Sequence, residues 1–103
     1  MKPEKLTESV KLLNKHFELA GDDALPLRLN SIELRKELTA IIGRMLDNDM
    51  EKLLQIMYRI DVSEAAFKKV LSASPPGQLS GDVADLVLQR EWLKAETRLK
   101  YRQ

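Results

Sequence analysis

Residues 82–100, with the sequence DVADLVLQREWLKAETRLK, form the longest uninterrupted helical pattern in the chain. Its apolar residues fall on two sides of the predicted helix. They are Val83, Leu86, Val87 and Leu93 on one side, and Leu88, Trp92, Ala95 and Leu99 on the other. A helix that is apolar on two sides needs two partners. We therefore expect this helix either to lie at the centre of a bundle or to bury one side against another chain.

Shorter helical patterns precede this segment. Between Glu4 and Ala20 apolar residues recur at steps of three and four, and Gly21 follows as a candidate for the end of the helix. Further helices are predicted from Asn30 or Ser31, after Asn48, and over about 62–72. Together these patterns predict a single all-α domain over residues 1–103, a bundle of four or five helices that are mostly antiparallel.

The starts of the helices are marked by residue pairs three positions apart, the spacing of a capping box. The pairs are Asn30 with Glu33, Asn48 with Glu51, and Asp61 with Glu64. The last pair explains the sequence LLQIMYRIDVSEAAF, residues 53–67, as a corner between two helices. Arg59 is expected near the carbonyls that end the preceding helix, and Tyr58 is expected to be half-buried.

Two connecting segments interrupt the helical patterns. Residues 22–29 contain Pro26 and are expected to lie against the core through Leu25, Leu27 and Leu29. Residues of about 72–81, SASPPGQLSG, are expected to form a flexible loop, because paired prolines cannot continue a helix. Gly43 lies within a predicted helix, where glycine is unfavourable, and this indicates a close approach of another helix.

The composition excludes several kinds of chemistry. The chain of 103 residues has no cysteine, so disulfides, thiolate nucleophiles and Cys-ligated metals are excluded. With 17 Lys and Arg against 16 Asp and Glu, any electrostatic function must be local. The N-terminal segment is charged, no apolar run is long enough to span a membrane, and a cytoplasmic location is expected.

The sequence predicts no catalytic, cofactor-binding or metal-binding residues. The single histidine, His16, is adjacent to Phe17 without a helical metal motif, and we interpret it as a surface or boundary residue. An enzymatic site would require His16 to meet Tyr58, Arg59 and Asp61 in one pocket. That hypothesis ranks below two non-enzymatic ones.

The final residues are locally basic. Arg90, Lys94, Arg98 and Lys100 recur along the last helix. Cations suit the C-terminal end of a helix, and they are also the residues that bind nucleic acid. Because Trp92 belongs to an apolar stripe, we assign it to the core or to an interface.

Two segments resemble a family of short, uncharacterised bacterial proteins of the kind found in Bacteroidetes. They are LLQIMYRIDVSE, residues 53–64, and the last helix with Arg90, Glu91, Lys94, Thr97, Arg98 and Tyr101. The resemblance covers about half of the chain. It implies an all-helical cytoplasmic protein and implies no activity.

The leading functional prediction is a non-enzymatic protein interaction or assembly module, which forms a homodimer through the second apolar side of the last helix. The predicted interaction surface consists of Leu88, Trp92, Leu99, Arg90, Lys94, Arg98 and Lys100. The alternative is a small nucleic-acid-associated protein that uses the basic residues of this set.

Overall fold

The computed structural model describes residues 3–101, which form five α-helices and no strand. The helices are α1 (Pro3–His16), α2 (Ser31–Asn48), α3 (Met50–Ile60), α4 (Glu64–Ala73) and α5 (Leu79–Tyr101). Single turns of 3-10 helix occur at Gly21–Asp23 and Pro76–Gln78. The prediction of an all-α bundle with four or five helices is confirmed.

Helix α5 lies at the centre of the bundle, because it contacts each of the other four helices. Its contacts with α1 and α2 are the most extensive. The buried residues of α5 are Gly81, Val83, Ala84, Val87, Glu91 and Ala95. Of the two arrangements predicted for a helix with two apolar sides, the central one is present. Leu93, which the pattern placed on an apolar stripe, is 53% exposed.

One hydrophobic core joins the helices around α5. Helices α1 to α4 each supply residues at helical spacing, as the periodicity predicts. These residues are Val10 and Leu13 from α1, Leu34, Leu38 and Ile42 from α2, Leu53, Ile56, Met57 and Ile60 from α3, and Phe67 from α4. Burial of such side chains stabilises the fold by about 1.5–3 kcal/mol each.

One of the three predicted capping boxes is confirmed. The Asn30 side chain accepts a hydrogen bond of 2.8 Å from the Glu33 N–H, and the Glu33 carboxylate accepts one of 3.2 Å from the Asn30 N–H. The prediction for α3 is wrong, since its cap is Asp49, which accepts from the Lys52 N–H at 3.2 Å. Asn48 still belongs to α2.

The prediction for α4 is also wrong, because Ser63 and not Asp61 caps this helix. Asp61 instead ends α3 in the left-handed conformation, with φ 67°. The Asp61 N–H bonds to the Tyr58 carbonyl at 3.1 Å, and the Val62 N–H bonds to the Met57 carbonyl at 3.0 Å. This pair of bonds is a Schellman motif, which requires a left-handed residue at the position that Asp61 occupies.

Helix α1 ends in the same way, four residues before the predicted end at Ala20. Glu18 has φ 56°, and the Leu19 N–H bonds to the Asn14 carbonyl at 2.8 Å. Glu18 therefore takes the role predicted for Gly21. The Asn14 side chain then accepts from the Leu25 N–H at 2.8 Å and donates to the Leu25 carbonyl at 3.0 Å, which holds the connecting segment on α1.

The two connecting segments differ in part from expectation. Leu25 is buried and Leu29 packs against the core as predicted, but Leu27 is 46% exposed. The predicted loop of about 72–81 is shorter, since α4 continues to Ala73 and α5 begins at Leu79. The Ser74 hydroxyl donates to Asp82 at 2.7 Å across this turn.

Gly43 lies where α2 approaches the start of α5. A Cβ at this position would lie 3.1 Å from the Ser80 Oγ, closer than most Cβ contacts. The close approach predicted from a glycine within a helix is confirmed.

The backbone at Asp61 gives a stability prediction. Asp61→Gly and Asp61→Ala both remove the carboxylate, but only alanine keeps the steric cost of the left-handed conformation. We expect the glycine variant to be more stable by about 1 kcal/mol in urea unfolding. Equal unfolding free energies for the two variants would show that this position carries no such constraint.

Candidate functional site

A buried acid–base pair connects α1 to α5. His16 is the last residue of α1, and its Nδ1 lies 2.6 Å from Oε1 of Glu91. The Glu91 side chain has no exposed surface, and that of His16 is 12% exposed. Glu91 Oε2 has no hydrogen-bond partner among residues 3–101. The predicted boundary position of His16 is confirmed, whereas its partner was missed.

Burial is the main influence on the Glu91 carboxyl group. Removal from water disfavours the charged form and raises the pKa of Glu91. The hydrogen bond and charge of His16 oppose this increase, as do the weaker fields of Lys94 and Arg90. An ionised Glu91 accepts from the Nδ1–H of His16, so Nε2 is the ring nitrogen that remains for another partner.

A basic depression of about 410 Å³ lies beside this pair, between α1 and α5. The residues that line it are Leu12, Lys15, His16, Arg90, Leu93, Lys94, Thr97 and Arg98. Three of the four predicted basic residues therefore meet at one place. Lys100 is exposed outside this lining, and Lys15 of α1 joins the set instead.

Carboxylates hold the two arginines of the basic depression. Arg98 Nε lies 3.3 Å from Oε1 of the buried Glu8, and an Arg90 terminal nitrogen lies 3.3 Å from Asp61 Oδ2. Arg90 Nε also donates to the Ile60 carbonyl at 3.3 Å. These contacts place the guanidinium groups at the edges of the depression.

The two lysines of the basic depression form no ion pair within the described part of the chain. Burial lowers the pKa of Lys94, and Arg90 lowers it further, although Glu91 acts in the opposite direction. The Lys94 ammonium is thus partly desolvated and next to a like charge. Such a group gains from a nearby anion.

An apolar groove of about 980 Å³ lies on another side of α5, against α2. Its lining consists of Ser31, Ile32, Leu34, Arg35, Lys36, Thr39, Asp85, Leu88, Gln89, Trp92 and Leu93. The predicted interaction residues Leu88 and Trp92 lie here, whereas Leu99 is half-buried outside this lining. The Lys5 ammonium lies 5.0 Å from the Trp92 ring centroid, a cation–π contact that covers the indole from one side.

The groups of the predicted corner do not converge on one site. Tyr58 is 76% exposed, so its predicted half-burial is wrong, and the Asp61 side chain is largely exposed. Arg59 donates at 3.0 Å both to the His16 carbonyl and to Glu18. It therefore binds the last carbonyl of α1, while the His16 ring is directed to Glu91.

No family model, curated protein or solved structure matches this chain. The resemblance to the bacterial family, and the cytoplasmic location it implies, stay predictions. Within residues 3–101, no helix is both long and apolar enough to cross a membrane, and no three His, Asp or Glu side chains are placed to hold a metal ion.

The pKa of Glu91 predicts how stability depends on pH. Because folding raises this pKa above its ordinary value of 4.5, the folded protein keeps the proton to higher pH than the unfolded chain does. The stability that Glu91 contributes is fully present below its ordinary pKa of 4.5. It is lost as the pH rises through the raised pKa of Glu91 in the folded protein. The loss amounts to about 1.4 kcal/mol for each pH unit by which the pKa is raised.

Glu91→Gln removes this titration. The unfolding free energy of the variant minus that of the wild type is therefore expected to increase as the pH rises from about 4 to about 8. Urea unfolding at several pH values measures the difference. Glu37→Gln, which removes an exposed carboxylate of α2, is the matched control and should leave the pH profile unchanged. Parallel profiles for the wild type and Glu91→Gln would contradict the expectation.

Proposed function

We propose that this protein is a non-enzymatic assembly module that self-associates through the apolar groove between α2 and α5. The proposal rests on one observation. The groove lies on the same face as projecting apolar side chains that can fill the groove of a second copy. Ile32 is 80% exposed and Leu93 is 53% exposed, and both belong to the groove lining. Large aliphatic side chains with so much exposed surface are unfavourable in water. Patches of such side chains are typical of interfaces.

Self-association explains this combination better than a foreign partner does. In a two-fold dimer the same patch is used by both copies, so it must be complementary to itself. A patch with both a recess and projecting aliphatic groups meets this condition. Trp92 and Leu88 would form the inner wall of the contact, and aromatic residues are enriched at the centres of interfaces.

Most of the charge on the same face is paired within one copy. Arg35 donates to both carboxylate oxygens of Asp85, at 2.7 and 3.2 Å, and Lys36 lies beside them without an ion pair among residues 3–101. The lining thus has two cations and one carboxylate, and Lys36 is the charge that each copy presents to the other. Repulsion between two exposed lysines is weak beside the burial of the apolar lining.

Sedimentation equilibrium tests the self-association. We expect a dimer at protein concentrations up to about 1 mM, and we expect the double variant Ile32→Gln with Leu93→Gln to raise its dissociation constant by tenfold or more, equivalent to about 1.4 kcal/mol. Both side chains are exposed, so their replacement leaves the fold intact.

The matched control is the double variant Tyr58→Gln with Tyr101→Gln, which removes two large side chains of similar exposure outside the groove. It should dimerise like the wild type. A wild-type protein that stays monomeric at about 1 mM would end the proposal, because a dimer weaker than this has a binding free energy smaller in magnitude than about 4.1 kcal/mol.

Nucleic-acid binding is the second candidate, because Arg90, Lys94 and Arg98 share one depression. One feature weighs against it. Trp92 lies in the apolar groove, away from these cations. The candidate predicts binding of single-stranded oligonucleotides that weakens steeply with salt. A fluorescence anisotropy titration without any change at low salt would exclude it.

A further inference from the structure

We propose that the basic depression between α1 and α5 binds a phosphate group, either as inorganic phosphate or as a phosphate ester of a small molecule. This site is separate from the proposed dimer interface. Within residues 3–101, Leu93 is the one lining residue that the basic depression and the apolar groove have in common.

The cations of the basic depression outnumber the carboxylates beside them. Four cations line the depression, and three carboxylates lie beside them, since Glu8 and Asp61 each bind an arginine and the buried Glu91 binds His16. Lys15 and Lys94, which come from different helices, have no carboxylate in ion-pair distance within the described chain. A doubly charged anion between them would relieve the repulsion among these cations.

The two arginines of the basic depression already have partners that orient them. A guanidinium group has five N–H donors in a fixed planar arrangement. Arg90 uses two of them for the Ile60 carbonyl and Asp61, and Arg98 lies in an ion pair with Glu8. The remaining donors need little further ordering to bind an oxyanion, and this reduces the entropic cost of binding.

The His16 ring is oriented by its contact with Glu91. Its Nδ1 is held by Glu91 inside the protein, and the ring also lines the basic depression. A buried carboxylate on one ring nitrogen fixes the imidazole plane and leaves Nε2 for a ligand. A side chain held in this way is a feature of a site that is organised before its ligand binds.

The size and lining of the basic depression favour a compact ligand over a nucleic-acid strand. Its volume of about 410 Å³ lies in the lower part of the range for small-molecule sites. Among the described residues, no Phe, Tyr or Trp side chain lines it, whereas proteins that bind single strands stack bases on such rings. The phosphate group, with four oxygens and two charges, matches a set of cations that surround a small space.

Isothermal titration calorimetry tests the site with two probes, inorganic phosphate and methyl phosphate, at low ionic strength. We expect the wild type to bind at least one of them, and we expect Lys94→Gln to weaken that binding by about tenfold. Tighter binding of methyl phosphate would assign the site to phosphate esters, and tighter binding of inorganic phosphate would assign it to the free ion.

The matched control is Lys100→Gln, which removes the same charge from α5 outside the basic depression. It should change the affinity by no more than about twofold. Equal weakening in both lysine variants would show diffuse attraction to a basic surface and would overturn the proposal. It would equally be overturned by a wild type that binds neither probe, or by one that binds only an oligonucleotide. If the protein is monomeric but binds phosphate, the proposed assembly function fails and the proposed phosphate site stands.

Discussion

The central position of helix α5 is the constraint on which the rest of the structure depends. This helix contacts all four others, so each residue on its inner face must fit a closed interior. Glu91 lies on that face, and a carboxyl group there has to find a polar partner or lose its charge. His16 supplies the partner at 2.6 Å. The end of α1 is therefore fixed against α5 by a chemical requirement as well as by apolar packing, and the basic depression forms where the two helices meet.

Much of the fold could be predicted because its determinants are local. The apolar spacing within each helix lies in a window of about 11–18 residues, and the capping box at Asn30 and Glu33 spans four. The errors at the next two helix starts have the same cause. Asp49 with Lys52 and Ser63 with Ala66 have the spacing of the pairs that were predicted but lack a Glu at the second position, so the capping-box pattern favoured the other pairs. The left-handed backbone at Asp61 decides the second case, and an aspartate gives no clear signal of that conformation.

For the candidate sites too, residues close in sequence could be grouped by prediction, and contacts between distant segments could not. Arg90, Lys94 and Arg98 were predicted as one basic surface because they are four residues apart on a helix. Their fourth cation and the partner of His16 were missed, since each of these contacts joins α1 to a helix about 75 residues away. One signal in the sequence could have revealed Glu91. It lies four residues after Val87 and four before Ala95, so the buried face of α5 must include it.

Helix α5 has three sides that face different surroundings. Its sequence pattern is therefore difficult to interpret as that of a simple amphipathic helix. Val87, Glu91 and Ala95 face the core, Leu88 and Trp92 face the groove, and Arg90, Lys94 and Arg98 face the basic depression. Successive residues are rotated by about 100°, so a helix at the centre of a bundle can serve three surroundings at once. Among the described residues, the outer two surfaces share only Leu93. A substitution deeper in one surface therefore leaves the other unchanged, and assembly and anion binding can be separated by single changes on one helix.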